Sequence, residues 1–272
     1  MESRAQLQKS NKFEKDFKLT SNEQLTGDIS LLRLRPADSS FLLKDANIQP
    51  GQFVEVQISQ SPTTFLRRPI SVNFVDEDAN ELLLLVRNAG AGTNCLRNLP
   101  LDSILNIVLP LGNGFSMVEG LCHPLLVGGG VGVAPLLYLG TKLMDKGVKP
   151  TFLLAAKSAS ELTELQLFSS YGDVIISPDD GSAGTPGLVT ANPALSSGQW
   201  DYIYCCGPLP MMKGVAKIAQ QQGITCEVSL ENMMACGLGA CLCCVEDTKD
   251  KGNVCVCKEG PVFDSRRLKW FD

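Results

Sequence analysis

The sequence predicts three parts: an antiparallel β barrel, an α/β domain with a parallel sheet, and a small C-terminal segment rich in cysteine. Short apolar and polar runs alternate in the first part of the chain, and strand-like and helix-like segments alternate in the middle. Six of the 11 cysteines fall between Cys236 and Cys257. We predict an N-terminal tail at residues 1–16, the barrel at 17–118, the α/β domain at 119–224 and the cysteine-rich segment at 225–272.

The barrel is predicted from strands with a two-residue period. Residues 30–35 and 52–58 show this period most clearly, and prolines and glycines mark turns between such runs. Regularly spaced short strands of this kind are typical of a barrel.

The α/β domain is predicted from a change in pattern after residue 124. Apolar strands at 125–127, 151–156, 174–176 and 202–205 alternate with helix-like segments, which indicates a parallel sheet with crossover helices.

Composition excludes several classes of protein. The chain of 272 residues is 44% apolar and carries a net charge of −5, which gives no electrostatic reason to bind nucleic acid or an anionic membrane. No apolar run approaches the length of a membrane span, and the polar N-terminus does not resemble a secretory signal. We expect a cytoplasmic protein that binds neither nucleic acid nor membrane.

The cysteines predict an iron–sulfur centre. Cys236, Cys241 and Cys244 form a C-x4-C-x2-C pattern, and Cys257 follows after twelve further residues. That spacing is typical of a plant-type 2Fe-2S cluster. A zinc site and a set of buried thiols are the alternatives, although zinc knuckles come in two matched halves that this segment lacks. Cys243 and Cys255 lie beside two of these ligands and could replace them.

Two short segments of the barrel suit a phosphate group. Arginines grip phosphate bidentately, and glycines let backbone amides approach a pyrophosphate. Each segment alone is weak evidence, since an arginine pair is usually solvated and a glycine turn is usually a hairpin. The candidate residues are Arg68, Pro69, Ile70 and Ser71, then Leu85, Val86 and Arg87, which lead into Gly92 and Thr93.

A glycine loop between a strand and a helix predicts a nucleotide site. Such a loop places phosphate at a helix N-terminus. The pattern departs from G-x-G-x-x-G, and no acidic residue follows the second strand, where Lys157 stands instead. The usual sequence test, in which an acidic residue at this position indicates NAD rather than NADP, therefore fails. Loops after other strands should join it in one crevice, and the candidate residues are Gly128, Gly129, Gly130 and Gly132, with Cys206, Gly207 and Pro208.

These motifs resemble those of the ferredoxin-NADP reductase superfamily. With the cysteine segment, they resemble the family of dihydroorotate dehydrogenase B electron-transfer subunits from about Leu19 to Phe263. The resemblance implies FAD at the barrel motifs, a 2Fe-2S cluster on the four cysteines, and NAD rather than NADP. It also places Cys206 near the nicotinamide. An equally weighted interpretation is that Cys206 is simply a small buried residue at the end of a strand.

The resemblance further implies a path of electrons. They would run from the FMN of a dihydroorotate-oxidising catalytic subunit through the cluster and FAD to NAD⁺, in pyrimidine biosynthesis, within a heterotetramer of two subunits of each kind. The alternatives are the FAD subunit of a sulfide dehydrogenase, transhydrogenase or sulfite reductase, and a zinc-stapled binding module. His123, the only histidine, is remote from every motif and is interpreted as structural.

Overall fold

A computed structural model describes residues 11–196 and 199–271 of the chain. Its first unit is a closed antiparallel barrel with the strand order β1-β2-β5-β4-β3-β6. The strands are β1 (Phe13–Gln24), β2 (Ile29–Pro36), β3 (Phe53–Val56), β4 (Arg68–Asp76), β5 (Glu81–Arg87) and β6 (Ile104–Leu111). Helix α1 (Ala91–Arg97) follows β5. The predicted two-residue period produces this barrel, because alternate residues such as Phe17 and Leu19 are completely buried inside it.

The second unit is a six-stranded sheet with the order β14-β11-β10-β7-β8-β9. All its pairings are parallel except that of β14 with β11. Its strands are β7 (Pro124–Gly129), β8 (Thr151–Ala156), β9 (Asp173–Pro178), β10 (Tyr202–Cys206), β11 (Thr225–Ser229) and β14 (Val262–Asp264). The helices of this unit are α2 (Ala134–Asp145), α3 (Leu165–Tyr171) and α4 (Leu209–Gln221). The predicted barrel and parallel sheet are therefore confirmed.

The C-terminal segment between β11 and β14 is largely irregular. It contains a two-stranded antiparallel sheet of β12 (Val245–Thr248) and β13 (Gly252–Cys255), followed by the short helix α5 (Val256–Glu259). Its buried residues Cys244 and Cys257 share one apolar core with the sheet and with Phe53 and Leu111 of the barrel. The cysteines are therefore held between the two larger units.

Two predicted boundaries divide elements that the structure keeps together. The boundary between 16 and 17 falls inside β1, which begins at Phe13 because Phe13 packs against the barrel core while charged neighbours face outward; residues 1–10 of the predicted tail lie outside the described part. The boundary between 224 and 225 separates β11 and β14 from the sheet that they complete. The boundary between 118 and 119 falls between β6 and β7.

Among the residues that the structure describes, no helix is both long enough and apolar enough to cross a lipid bilayer.

Candidate functional site

A cleft of about 300 Å³, called here the first cleft, lies where the barrel, the sheet and the C-terminal segment meet. The structure brings most of the predicted barrel motifs to it. The predicted residues that line it are Pro69, Ile70, Ser71, Leu85, Arg87 and Thr93. Phe53 of β3, Pro261 and residues 230–234 complete the lining. No local pattern identifies residues 230–234, because only the fold brings them to the barrel.

The two neighbouring arginines have different environments. Arg67 is tied to the barrel by an ion pair with Glu14 (2.7 Å) and by a hydrogen bond to the carbonyl of Asn106 (3.0 Å). Arg68 donates only to the carbonyls of Leu66 and Arg67 (2.9 and 3.2 Å) among the described residues, without a carboxylate. The guanidinium of Arg68 is therefore the one still available to an anion.

Gly92 and Thr93 shape the loop beside Arg68. A Cβ on Gly92 would lie 2.8 Å from Nε of Arg68. Any side chain at this position would therefore displace the Arg68 guanidinium. The Thr93 hydroxyl accepts the N–H groups of Ala89 and Gly90 (2.8 and 3.1 Å), so it holds the loop as well as lining the cleft. The Val86 side chain packs in the barrel core and does not line the first cleft.

A second cleft of about 320 Å³ lies at the carboxyl ends of the parallel strands. Of the predicted nucleotide residues, Gly129, Gly130 and Pro208 line it, and Arg87 lines both clefts. Lys157, Glu161 and Asp179 form its far wall. The NAD motif expects an acidic residue directly after the second strand, where Lys157 stands, so it does not identify Glu161 farther along that loop or Asp179 after β9.

The remaining predicted nucleotide residues pack the sheet instead of lining a cleft. A Cβ on Gly132 would lie 2.6 Å from the Cys206 carbonyl and from Cα of Gly207, so only glycine allows the loop after β7 to approach the loop after β10. A Cβ on Gly128 would meet Val133 at 2.9 Å. The Cys206 side chain is 1% exposed and lines neither cleft, which favours the packing interpretation over a nicotinamide contact. His123 also lies outside both clefts, and its backbone N–H donates to Asp201.

Three of the four predicted cluster ligands accept backbone hydrogen bonds at sulfur. The Sγ of Cys236 accepts the N–H groups of Leu238 and Ala240 (3.3 and 3.4 Å). The Sγ of Cys257 accepts from Gly239 (3.1 Å), and the Sγ of Cys244 accepts from the N–H of Cys257 (3.3 Å). Such donors favour a thiolate over a thiol.

The pKa of Cys236 shows the effect of these donors. Desolvation would raise it, but the N–H groups of Leu238, Cys241 and Ala240 lower the pKa of this thiol from 9.0 to about 6. A metal ligand must be deprotonated, so this cradle suits metal binding near neutral pH.

The two competing cysteines have different surroundings. Cys243 is exposed, whereas its neighbour Cys244 is buried. The Cys255 thiol contacts the carbonyl of Gly239 at 3.9 Å as a donor, the opposite polarity to Cys257. Within residues 11–196 and 199–271, no three His, Cys, Asp or Glu side chains are grouped to hold a single metal ion.

Glu55 of β3 lies between the first cleft and the cysteine loop. It is opposite Pro69 in the strand pairing, and a Cβ on Gly237 would lie 3.0 Å from its Oε1. The residue is 1% exposed, and neither carboxylate oxygen has a hydrogen-bond partner among the described residues. Desolvation raises the pKa of Glu55 from 4.5 to about 7, although Arg67 and Arg68 oppose the shift.

Comparison with known proteins gives a consistent assignment. The family described as "Iron-sulfur cluster binding domain of dihydroorotate dehydrogenase B" matches residues 231–269. "Dihydroorotate dehydrogenase B (NAD(+)), electron transfer subunit" of Caldanaerobacter subterraneus subsp. tengcongensis is 41% identical over 229 residues, covering 83% of this chain and 89% of that protein. The chain belongs to the family of dihydroorotate dehydrogenase B electron transfer subunits. The subunit of the same name from Shouchella clausii is 38% identical and covers 79% of this chain and 84% of its own.

Solved structures agree with the fold of this electron transfer subunit family. A structure described as the NADH-dependent reduced ferredoxin-NADP oxidoreductase has a TM-score of 0.82 at 26% identity, covering 93% of this chain and 90% of that chain. The flavohem-like FAD/NAD binding domain of nitric oxide dioxygenase from Vibrio cholerae has a TM-score of 0.67 at 21% identity, covering 79% and 98%, and shows the fold alone.

Proposed function

We propose that this chain takes electrons from the FMN of a dihydroorotate-oxidising catalytic subunit and passes them through a 2Fe-2S cluster and FAD to NAD⁺, in pyrimidine biosynthesis. The family assignment supports the electron-transfer role and the NAD link. The fold supports FAD in the first cleft and NAD in the second.

The single observation that carries the proposal is the order of the three sites. The first cleft shares Arg87 with the second cleft on one side. On its other side, its wall at residues 230–234 leads directly along the chain to Cys236. A group bound in the first cleft would therefore lie between the cysteines and the nucleotide.

The residues of the first cleft suit a flavin dinucleotide. Arg68, beside the loop of Gly92 and Thr93, would hold a phosphate, and Ser71 of the cleft lining would face the ring system. Residues 230–234 cover the other side of the cleft and limit the access of water. Bound FAD supplies the exchange between the two electrons of a nicotinamide hydride and the single electrons of an iron–sulfur cluster.

Cys236, Cys241, Cys244 and Cys257 would hold the cluster. The backbone donors to three of these sulfurs support that ligand set. The same donors would stabilise negative charge on the sulfurs and so tune the reduction potential.

The catalytic subunit would dock on the face that carries the cysteines. Leu238 and Leu242 expose 48% and 66% of their surface beside Cys241, as apolar side chains at the centre of an interface do before they are covered. We propose that the assembly contains two copies of each subunit and acts in the cytoplasm.

The test is reconstitution under anaerobic conditions. The chain alone should contain one FAD, two irons and two sulfides, and it should oxidise NADH with dyes without producing orotate. Mixing with a dihydroorotate-oxidising subunit should create NAD⁺-dependent orotate formation that neither shows alone, and size-exclusion chromatography with light scattering should give the mass of two copies of each. Orotate production by the partner-free chain would contradict the proposed division of labour, and stoichiometric zinc without iron would remove the cluster.

The FAD subunits of a sulfide dehydrogenase, transhydrogenase or sulfite reductase would share the barrel and the sheet. Curated relatives that are 36–41% identical over most of the chain carry the dihydroorotate dehydrogenase B name instead. The proposal therefore names dihydroorotate as the source of electrons, and sulfide and sulfite serve as negative controls in the reconstitution.

A further inference from the structure

Two carboxylates stand at the far wall of the second cleft, where the sequence pattern offered no acidic residue. Asp179 follows β9 directly, and Glu161 lies in the loop after β8. Both line the cleft together with Lys157. We call Glu161 and Asp179 the acidic wall.

The order of the strands indicates which part of a dinucleotide would reach the acidic wall. Arg87 marks the end of the second cleft that adjoins the first, and this end must hold the nicotinamide if hydride is to pass to a flavin. The glycine loop after β7 lies in the middle and suits the pyrophosphate. The loops after β8 and β9, towards the edge of the sheet, are then left for the adenosine ribose.

The loops that carry the acidic wall are joined by backbone hydrogen bonds. The N–H of Asp179 donates to the carbonyl of Ala156 (2.9 Å), and the N–H of Asp180 donates to the carbonyl of Lys157 (3.1 Å). The Ser182 hydroxyl accepts the N–H of Ala159 at 2.8 Å. The two loops therefore form one wall with a fixed position, as a specificity site requires.

The two adjacent aspartates after β9 differ in what their carboxylates do. The Asp180 carboxylate accepts hydrogen bonds from the N–H and hydroxyl of Ser182 (2.9 and 2.6 Å). In the described part of the chain, the carboxylates of Asp179 and Glu161 form neither hydrogen bonds nor ion pairs. They are therefore available to a ligand, and Asp180 provides a matched control.

The charges of this wall favour an unphosphorylated ribose. A carboxylate accepts hydrogen bonds from ribose hydroxyls, whereas it repels a 2′-phosphate. Lys157 has the opposite sign, but it offsets only one of the two acidic side chains. Arg87 also lines the cleft, at its other end.

We propose that Glu161 and Asp179 bind the adenosine ribose of NAD and exclude NADP. This inference rests on the proposed function, and it divides the acidic discriminator between the loops after the second and third strands of the α/β unit. It explains how NAD can be selected although Lys157 occupies the usual position of an acidic residue.

The experiment compares Asp179→Asn, Glu161→Gln and the double variant with Asp180→Asn in the FAD-loaded, cluster-loaded protein. NADH and NADPH oxidation with a dye acceptor gives kcat/KM for both nucleotides. We expect the NADPH:NADH ratio to rise on the order of tenfold in each single variant and further in the double variant, mainly through KM, because a repulsive charge is removed. Asp180→Asn should keep the ratio of the parent.

Calorimetry with 5′-AMP and 2′,5′-ADP separates binding from turnover. The parent should bind 5′-AMP more tightly, and the double variant should gain affinity for 2′,5′-ADP by about tenfold. An unchanged ratio and unchanged 2′,5′-ADP affinity in the double variant, or an equal change in Asp180→Asn, would overturn the acidic wall. A parent that oxidises neither NADH nor NADPH would instead contradict the proposed function.

Discussion

At the scale of single residues, Glu55 departs furthest from ordinary protein chemistry. A buried carboxylate is normally paired, because desolvation penalises the charged form. Glu55 has arginines nearby but no hydrogen-bond partner for its carboxylate oxygens in the described residues, and it contacts the loop that carries Cys236. The two-residue period predicted that β3 would be a strand, but it could not show that a charged residue on its outer face would be covered by the cysteine loop.

Glu55 should make the stability of the protein depend on pH. The pKa is raised from 4.5 to about 7 in the folded chain, so the unfolded chain releases its proton first as the pH rises. The contribution of Glu55 to the free energy of unfolding is fully present below pH 4.5, falls as the pH rises towards 7, and stays low above pH 7. The loss is on the order of 3 kcal/mol, since each pKa unit corresponds to about 1.4 kcal/mol.

The measurement is urea unfolding of the parent, Glu55→Gln and Glu119→Gln at pH 5 and pH 8. Glu55→Gln should lose much less stability over this interval than the parent. Glu119 is exposed, so its variant should behave as the parent does. Equal pH dependence in the parent and Glu55→Gln would contradict the raised pKa.

The cysteines provide a second residue-scale prediction. Replacing Cys236, Cys241, Cys244 or Cys257 by Ala should remove the visible absorbance, iron and sulfide, because each substitution deletes a thiolate ligand. Cys243→Ala and Cys255→Ala are the matched controls and should retain all three. An intact cluster in Cys257→Ala with loss in Cys255→Ala would move the fourth ligand to Cys255.

At the scale of elements, the sequence predicted several strands but not all their partners. The strand predicted at 151–156 coincides with β8, and local apolar patterns also located β7, β9 and β10. The three-residue strand β14 pairs with β11 across more than thirty intervening residues, and no local period reveals such a pairing. The glycine loop was found by its motif, but the fold decides that Gly130 faces the cleft whereas Gly132 packs against the loop after β10.

Gly132 tests the contact between these two loops. In Gly132→Ala, the added Cβ would lie 2.6 Å from the Cys206 carbonyl, so the loops must separate. We expect a loss of about 1–3 kcal/mol in unfolding free energy, as for other overpacked sites, together with a raised KM for NADH. Gly27→Ala is the control, because nothing lies within 4 Å of the added atom. A Gly132→Ala protein with the stability and KM of the parent would show that the close approach is unnecessary.

At the scale of the whole molecule, three units bring the cysteines, the first cleft and the second cleft into one series. The motifs indicated the family, but the series itself depends on contacts between units. Residues 230–234 show this most clearly, because they belong to the C-terminal segment and yet form a wall of the first cleft.

The proposed docking face gives a prediction for the assembly. Leu242→Gln should weaken binding of the catalytic subunit by about tenfold, because it places a polar group at the centre of an apolar contact. NADH-to-dye activity and the visible spectrum should remain those of the parent. Leu101→Gln, at a residue of the barrel that is 58% exposed, should bind the subunit normally. Surface plasmon resonance measures both affinities, and equal values for the two variants would place the docking face elsewhere.

The position of β14 has a consequence for biosynthesis. The ribosome delivers β11 more than thirty residues before the strand that covers its outer edge. During that interval the edge of β11 is unpaired, and an unpaired edge is a template for association with other nascent chains. The cysteines lie within the same interval, and Cys244 and Cys257 share an apolar core with the sheet, so a segment that lacks its cluster would leave this edge uncovered for longer. Growth under iron limitation should therefore increase aggregation of newly made chains more than it unfolds chains that are already finished.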